Sequence, residues 1–145
     1  MTRPSLAVAA LAAAFALAAC GRTGETAMPS SPAPVASASV TGTATYRERI
    51  ALPADAELIV QLADVSLADA PSTVVAEQRI APVRVPSPFT LSYDPAQIDP
   101  RHSYAVSARV ERAGKLLFTT DTRHAVLTQG AGNTAEIVMI KVQPH

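Results

Sequence analysis

The fold class that the sequence predicts is all-β: an antiparallel immunoglobulin-like β-sandwich of about seven strands, carried behind a disordered tether. Three observations predict it. Between Val40 and Val142, apolar residues recur at every second position in one short run after another, the period of a half-buried strand. Glycines, prolines and Asp-Pro steps separate these runs, with no stretch of helical periodicity between them. Residues 40–145, which hold the runs, make a segment of about 106 residues, the usual size of one immunoglobulin-like domain.

The elements follow in chain order. Arg3 and the free amine give a positive start, and Leu6–Ala19 runs without a charge. As a helix these fourteen residues would span only ~21 Å, short of the ~30 Å hydrocarbon core of a bilayer. A charged start, a short apolar centre and small residues at the end describe a secretory signal peptide over residues 1–19. The chain's single cysteine, Cys20, closes this segment in Leu17-Ala18-Ala19-Cys20, which resembles the lipobox of bacterial lipoproteins. That resemblance implies cleavage before Cys20, thioether lipidation of its sulfur and acylation of its new amino group. Several acyl chains hold a protein at a membrane durably where one holds it only marginally. Gly21 stands where an aspartate would resemble an inner-membrane retention signal, so the expected address is the outer membrane, facing the periplasm. Residues 20–39 are then the lipidated cysteine and a linker, rich in proline and small residues and without an apolar period.

From Val40 onward the alternation begins. In "VTGTATYR", Val40, Gly42, Ala44 and Tyr46 alternate with threonines and Arg47, and in "ELIVQLADV" Leu58, Val60 and Leu62 share a face. "STVVAEQRI", "FTLSY", "YAVSARVE", "KLLFTTD" and "NTAEIVMIKV" complete the set. Ala113-Gly114 marks a hairpin, and strands joined so closely are antiparallel. Prolines 82, 86 and 88 cannot donate to a ladder and suit an edge or a crossover. In "IDPRHSYAV", Tyr104 opens a strand behind an Asp-Pro turn, a pattern shared by a tyrosine corner and by an ordinary core tyrosine.

Composition narrows the function. Twelve acidic and twelve basic residues cancel, so no broad field steers the chain toward nucleic acid, and the lack of tryptophan argues against a base-stacking surface. One cysteine excludes an internal disulfide framework and a thiolate-rich zinc site. His102, His124 and His145 stand at no metal-ligand spacing, and solvated or capping roles suit them. Asp121 and His124 could join a serine into a triad only on paper, for no Gly-x-Ser-x-Gly elbow occurs. Asp94 and Asp99 each precede a proline and read as turn formers before they read as an acid–base pair. The expectation is a protein without catalytic residues, cofactor or metal, with Cys20 as its one modified position.

Four segments, "VTGTATYRERIALPADAELIVQLADVS", "PFTLSYDP", "IDPRHSYAVSARV" and "GKLLFTTDTRHAVLT", give the chain a resemblance to the YbaY/YscW-type lipoproteins, the pilotin-like chaperones of type III secretion. The resemblance implies a lipid-anchored β-sandwich without enzymatic activity and, for the YscW branch, escort of an outer-membrane secretin subunit. The reading is therefore a non-enzymatic binding or chaperone module for an envelope protein, held to the membrane through lipid on Cys20. An outer-membrane or secretion-system protein is its partner class. An edge strand or the stretch Asp121–Asn133, read as the longest irregular segment, would supply the contact. The alternative is a small-ligand-binding or hydrolytic periplasmic protein using Asp121, His124 or the Asp-Pro loops.

Overall fold

A computed structural model describes residues 36–143. The expected signal peptide, Cys20, most of the linker and His145 lie outside the described residues.

The described chain is all-β, with eight strands and one short 3-10 turn at Pro95–Gln97. The strands are β1 (Ala38–Tyr46), β2 (Glu57–Asp64), β3 (Thr73–Ile80), β4 (Ser87–Tyr93), β5 (Tyr104–Arg112), β6 (Lys115–Thr120), β7 (His124–Val126) and β8 (Thr134–Lys141). Each run of alternating residues becomes a strand because its apolar side can be buried while its polar side meets water. β4 shows this plainly, with Ser87, Phe89 and Leu91 buried and the residues between them exposed. The inward residues meet in one core, which holds Leu58, Leu62, Phe89, Leu91, Tyr104, Phe118, Ile137 and Met139 among its larger members.

The topology departs from the immunoglobulin-like sandwich. All strands belong to a single sheet of order β3-β2-β5-β6-β8-β1-β4, curled until its two edge strands face each other as a nearly closed barrel. Gln78 on β3 spans the seam, its side-chain oxygen accepting the Thr90 N–H of β4 at 2.8 Å. Alternation buries one face in either architecture, so it does not distinguish two sheets from one that curls on itself. The expected antiparallel order holds at every pairing but one: β1 runs parallel to β8, from Thr41 opposite Thr134 to Tyr46 opposite Met139. Hairpin length argues only for neighbours in sequence, and these two strands are the first and last. Their close approach depends on Gly42, where a Cβ would lie 1.8 Å from the Ala135 carbonyl oxygen and 2.7 Å from the Phe89 ring.

β7 lies inside the stretch read as irregular. It exists because β6 is shorter than β5. β6 lies between β5 and β8, with Phe118 opposite Val110 on one side and Lys141 on the other, and its pairing with β5 stops at Arg109 opposite Thr119. β7 takes the vacated place beside the N-terminal half of β5, with Tyr104 opposite Val126. At the parting point the Thr120 hydroxyl accepts from the Ala108 N–H and donates to the Ala108 carbonyl, both at 2.8 Å. The β5–β6 hairpin is the two-residue turn expected, with Ala113 and Gly114 both at positive φ, 48° and 75°.

Outside the barrel, β2, β3 and β5 carry a lattice of paired charges. Arg79 bridges Glu57 (3.0 Å) and Glu77 (2.8 Å), Gln61 donates to Glu77, and Arg109 donates to both Gln61 and Glu111 at 2.7 Å. Ile59 faces outward beneath it at 1% exposure, with Arg79 and Arg109 as its cross-strand neighbours. Their aliphatic stems flank it while their heads reach water.

Candidate binding groove

The residues that sequence reasoning offered for chemistry take structural posts. Asp94 caps the 3-10 turn by accepting the Ala96 N–H at 2.9 Å. Asp99 accepts from the backbone N–H, Nε and Nη2 of Arg101, and this holds its carboxyl well below the usual range. Tyr104 is buried at the head of β5, and its hydroxyl accepts the Asp99 N–H (3.0 Å) and donates toward the Gln97 carbonyl (3.4 Å). The phenol thus reaches back to upstream backbone, the contact that defines a tyrosine corner. His124 starts β7 with its Nε2 buried and unpartnered among the described residues, while Asp121 accepts from the Thr122 hydroxyl at 2.9 Å. The two are not brought together by a hydrogen bond.

His102 does meet a carboxylate, its Nδ1 lying 2.6 Å from Asp64 Oδ2. The other Asp64 oxygen accepts from the Ser66 hydroxyl and amide, which with His102 hold its carboxyl below the usual range. The Ser66 oxygen accepts the Ser103 N–H at 2.9 Å, and the Ser103 oxygen accepts from Gln129 Nε2 at 2.8 Å. Those contacts tie the end of β2 to the start of its neighbour β5 at the mouth of the barrel, and both hydroxyls are engaged in that task.

A concave apolar surface lies at the opposite end. A groove of about 310 Å³ is walled by Ile50–Pro53 on one side, β6 on another and the end of β8 on the third. Its floor is Phe118, 1% exposed, on which the Tyr46 ring stacks with centroids 4.6 Å apart and planes at 27°. The Tyr46 hydroxyl donates to the Ile50 carbonyl at 2.9 Å, pinning the Ile50–Pro53 wall to the floor. On the far side the Val142 N–H donates to the Leu117 carbonyl at 2.9 Å, carrying β8 one step beyond its last ladder pair. Ile50 and Leu116, 43% and 36% exposed, form the lip. Arg112, Lys115 and Lys141 surround it, with Arg112 Nε on Asp55 Oδ2 at 2.8 Å. That hydrogen bond holds the Asp55 carboxyl below its usual range.

Sequence reasoning missed the groove, although one signal was present. Leu116 and Leu117 are adjacent in a strand, so one of them must point away from the core.

Comparison with known proteins fits this architecture. The family model described as "Type III secretion system lipoprotein chaperone (YscW)" matches residues 35–139. The chain belongs to the YscW lipoprotein chaperone family. A curated relative, "Uncharacterized lipoprotein YbaY" of Escherichia coli (strain K12), is 40% identical over 148 residues, covering 92% of this chain and 76% of the relative. A solved structure, "Structure of an alternative pilotin from the type II secretion system of Vibrio cholerae", is 46% identical with a TM-score of 0.71. That match covers 75% of this chain and 100% of the pilotin chain. The YscW family match spans the groove wall at Ile50–Pro53, the lip residue Leu116 and the Phe118 floor. It makes the chain a pilotin-like lipoprotein of the cell envelope, in a family of chaperones.

Proposed function

We propose that this YscW-family protein is a non-enzymatic chaperone of the outer membrane that holds an apolar segment of another envelope protein in the Phe118 groove. In this reading residues 1–19 are removed as a signal peptide, Cys20 carries the lipid, and the residues from 21 to the start of β1 at Ala38 tether the barrel on the periplasmic face. An outer-membrane or secretion-system protein is the client, in line with the printed descriptions of the family and of the related Vibrio pilotin.

One observation carries the proposal: the groove and the point where the tether arrives are at opposite ends of the barrel. Ala36 and Ser37 lie beside Tyr93 and Asp94, where β1 begins and β4 ends. The groove lies beyond the other end of β1, a strand of nine residues and so ~30 Å away. A domain held from the Ala36 end turns this apolar-lipped groove toward whatever approaches from the periplasm. Apolar grooves of this kind bind by taking side chains out of water, which needs no reacting group.

A photo-crosslinking residue at Leu116, introduced in cells that keep the native anchor, tests the reading. It is expected to trap one discrete envelope protein, whose outer-membrane level falls when the chaperone is deleted. The same probe at Ser37, at the tether end, is expected to trap none. Equal trapping at both positions, or unchanged client levels in the deletion strain, would refute the role. The anchor has its own test, since Cys20→Ser is expected to abolish metabolic labelling by a fatty acid.

A further inference from the structure

We infer that the segment taken by the groove carries carboxylates beside its apolar residues, and that Lys115 and Lys141 are the groups that engage them. The inference rests on the groove reading above and adds the chemistry of the occupant. The chain has only two lysines, and both stand on the rim of this one groove. Lys115 opens β6 and Lys141 closes β8, so the sheet brings together two residues that are 26 positions apart in sequence.

The local charge differs from that of the whole molecule. The full chain is neutral, with twelve acids against twelve bases, yet no acidic side chain lines the groove. Arg112, the third cation there, is already matched by Asp55. Elsewhere Arg79 is matched by Glu57 and Glu77, Arg101 by Asp99 and Arg109 by Glu111, while Arg47, Arg49, Arg84 and Arg123, which do not line this groove, form no ion pair among the described residues. Lys115 and Lys141 form no ion pair among the described residues, and both are exposed. Two unmatched ammonium groups therefore flank an apolar lip made by Ile50 and Leu116. A segment with apolar anchors and flanking Asp or Glu matches both features at once, the anchors entering the groove and the carboxylates meeting the rim. A segment with flanking lysines or arginines would meet like charge at the same places.

The test uses the intact chain in neutral phosphatidylcholine nanodiscs, with empty nanodiscs subtracted. Two fluorescein-labelled amphipathic peptides of identical leucine spacing serve as probes, one with glutamate and one with lysine at every polar position. The Leu/Glu peptide is expected to bind about tenfold more tightly, the scale of two exposed ion pairs acting together. This advantage is expected to shrink at 0.5 M salt, where the screening length is only a few ångströms. Replacing both amines, Lys115→Glu with Lys141→Glu, is expected to reverse the preference without changing the melting temperature, because both side chains are exposed. Equal affinity for the two peptides, or a preference that the double variant leaves unchanged, would overturn the inference. Failure of the groove reading gives a different result, in which neither peptide binds or Leu116→Glu changes nothing for either.

Discussion

The smallest device that the fold depends on is a single hydroxyl. Ala108 is 3% exposed in the middle of β5, at the height where β6 has left and β7 has not arrived. Its N–H and carbonyl would both lack a partner if Thr120 Oγ1 did not accept from one and donate to the other. A buried backbone group without a partner costs about 1–3 kcal/mol, more than a typical satisfied hydrogen bond contributes. Thr120→Val keeps the shape and removes the oxygen, so it is expected to lower unfolding free energy by about 2 kcal/mol. Thr120→Ser, which keeps the oxygen, is expected to recover most of the loss in urea titrations. Equal midpoints for the valine and serine variants would show that the hydroxyl has no such role. Some posts at this scale were legible in the sequence. Asp94 and Asp99 precede prolines, and both organise turns; Tyr104 follows such a turn, and its phenol returns to it. Thr120 was not legible, because its role depends on where two strands part, and no neighbour in sequence reports that.

At the scale of the element, local alternation identifies strands and short turns identify antiparallel neighbours. The β5–β6 hairpin at Ala113-Gly114 was legible for both reasons. β7 was not, since three residues are too few to display a period and it forms only because half of β5 stands open. The parallel contact of β1 with β8 joins the two ends of the domain, and nothing local encodes it. The seam between β3 and β4 is the least secured boundary, because a side chain replaces a ladder there. Gln78→Ala removes the acceptor of the Thr90 N–H, and exposed edges are where strands pair with foreign chains. Faster hydrogen exchange at the Thr90 amide is expected, with less than about 1 kcal/mol lost from global stability. If Thr90 exchanges at the same rate in both proteins, the seam is held by something other than Gln78.

Over the whole molecule, the same economy of charge appears at both ends and along the outer face. Asp55 at the groove end is held below its usual pKa by the hydrogen bond from Arg112, and Asp64 at the other mouth by those from Ser66 and then His102. Glu77 on the outer lattice is lowered by Gln61 and then Arg79, and Asp99 at the tyrosine corner by Arg101. The all-β class was readable from the alternation. Closure into a barrel and the groove beneath Tyr46 were not, because both arise from contacts between residues far apart in the chain. The four carboxylates share a consequence for stability. Each binds its proton less readily in the folded chain than in the unfolded one, where Asp and Glu titrate near ~3.9 and ~4.3. The folded state therefore holds fewer protons in acid, and its advantage is complete above about pH 5 and lost as pH falls through the carboxylate range. Urea midpoints are expected to be flat from pH 7 to about pH 5 and to decline steadily from there to pH 3. Asp64→Asn, which cannot titrate, is expected to start lower at pH 7 and to decline less steeply over the acid range. A midpoint that rises between pH 5 and pH 3 in the unsubstituted protein would show that these carboxylates do not set its acid limit.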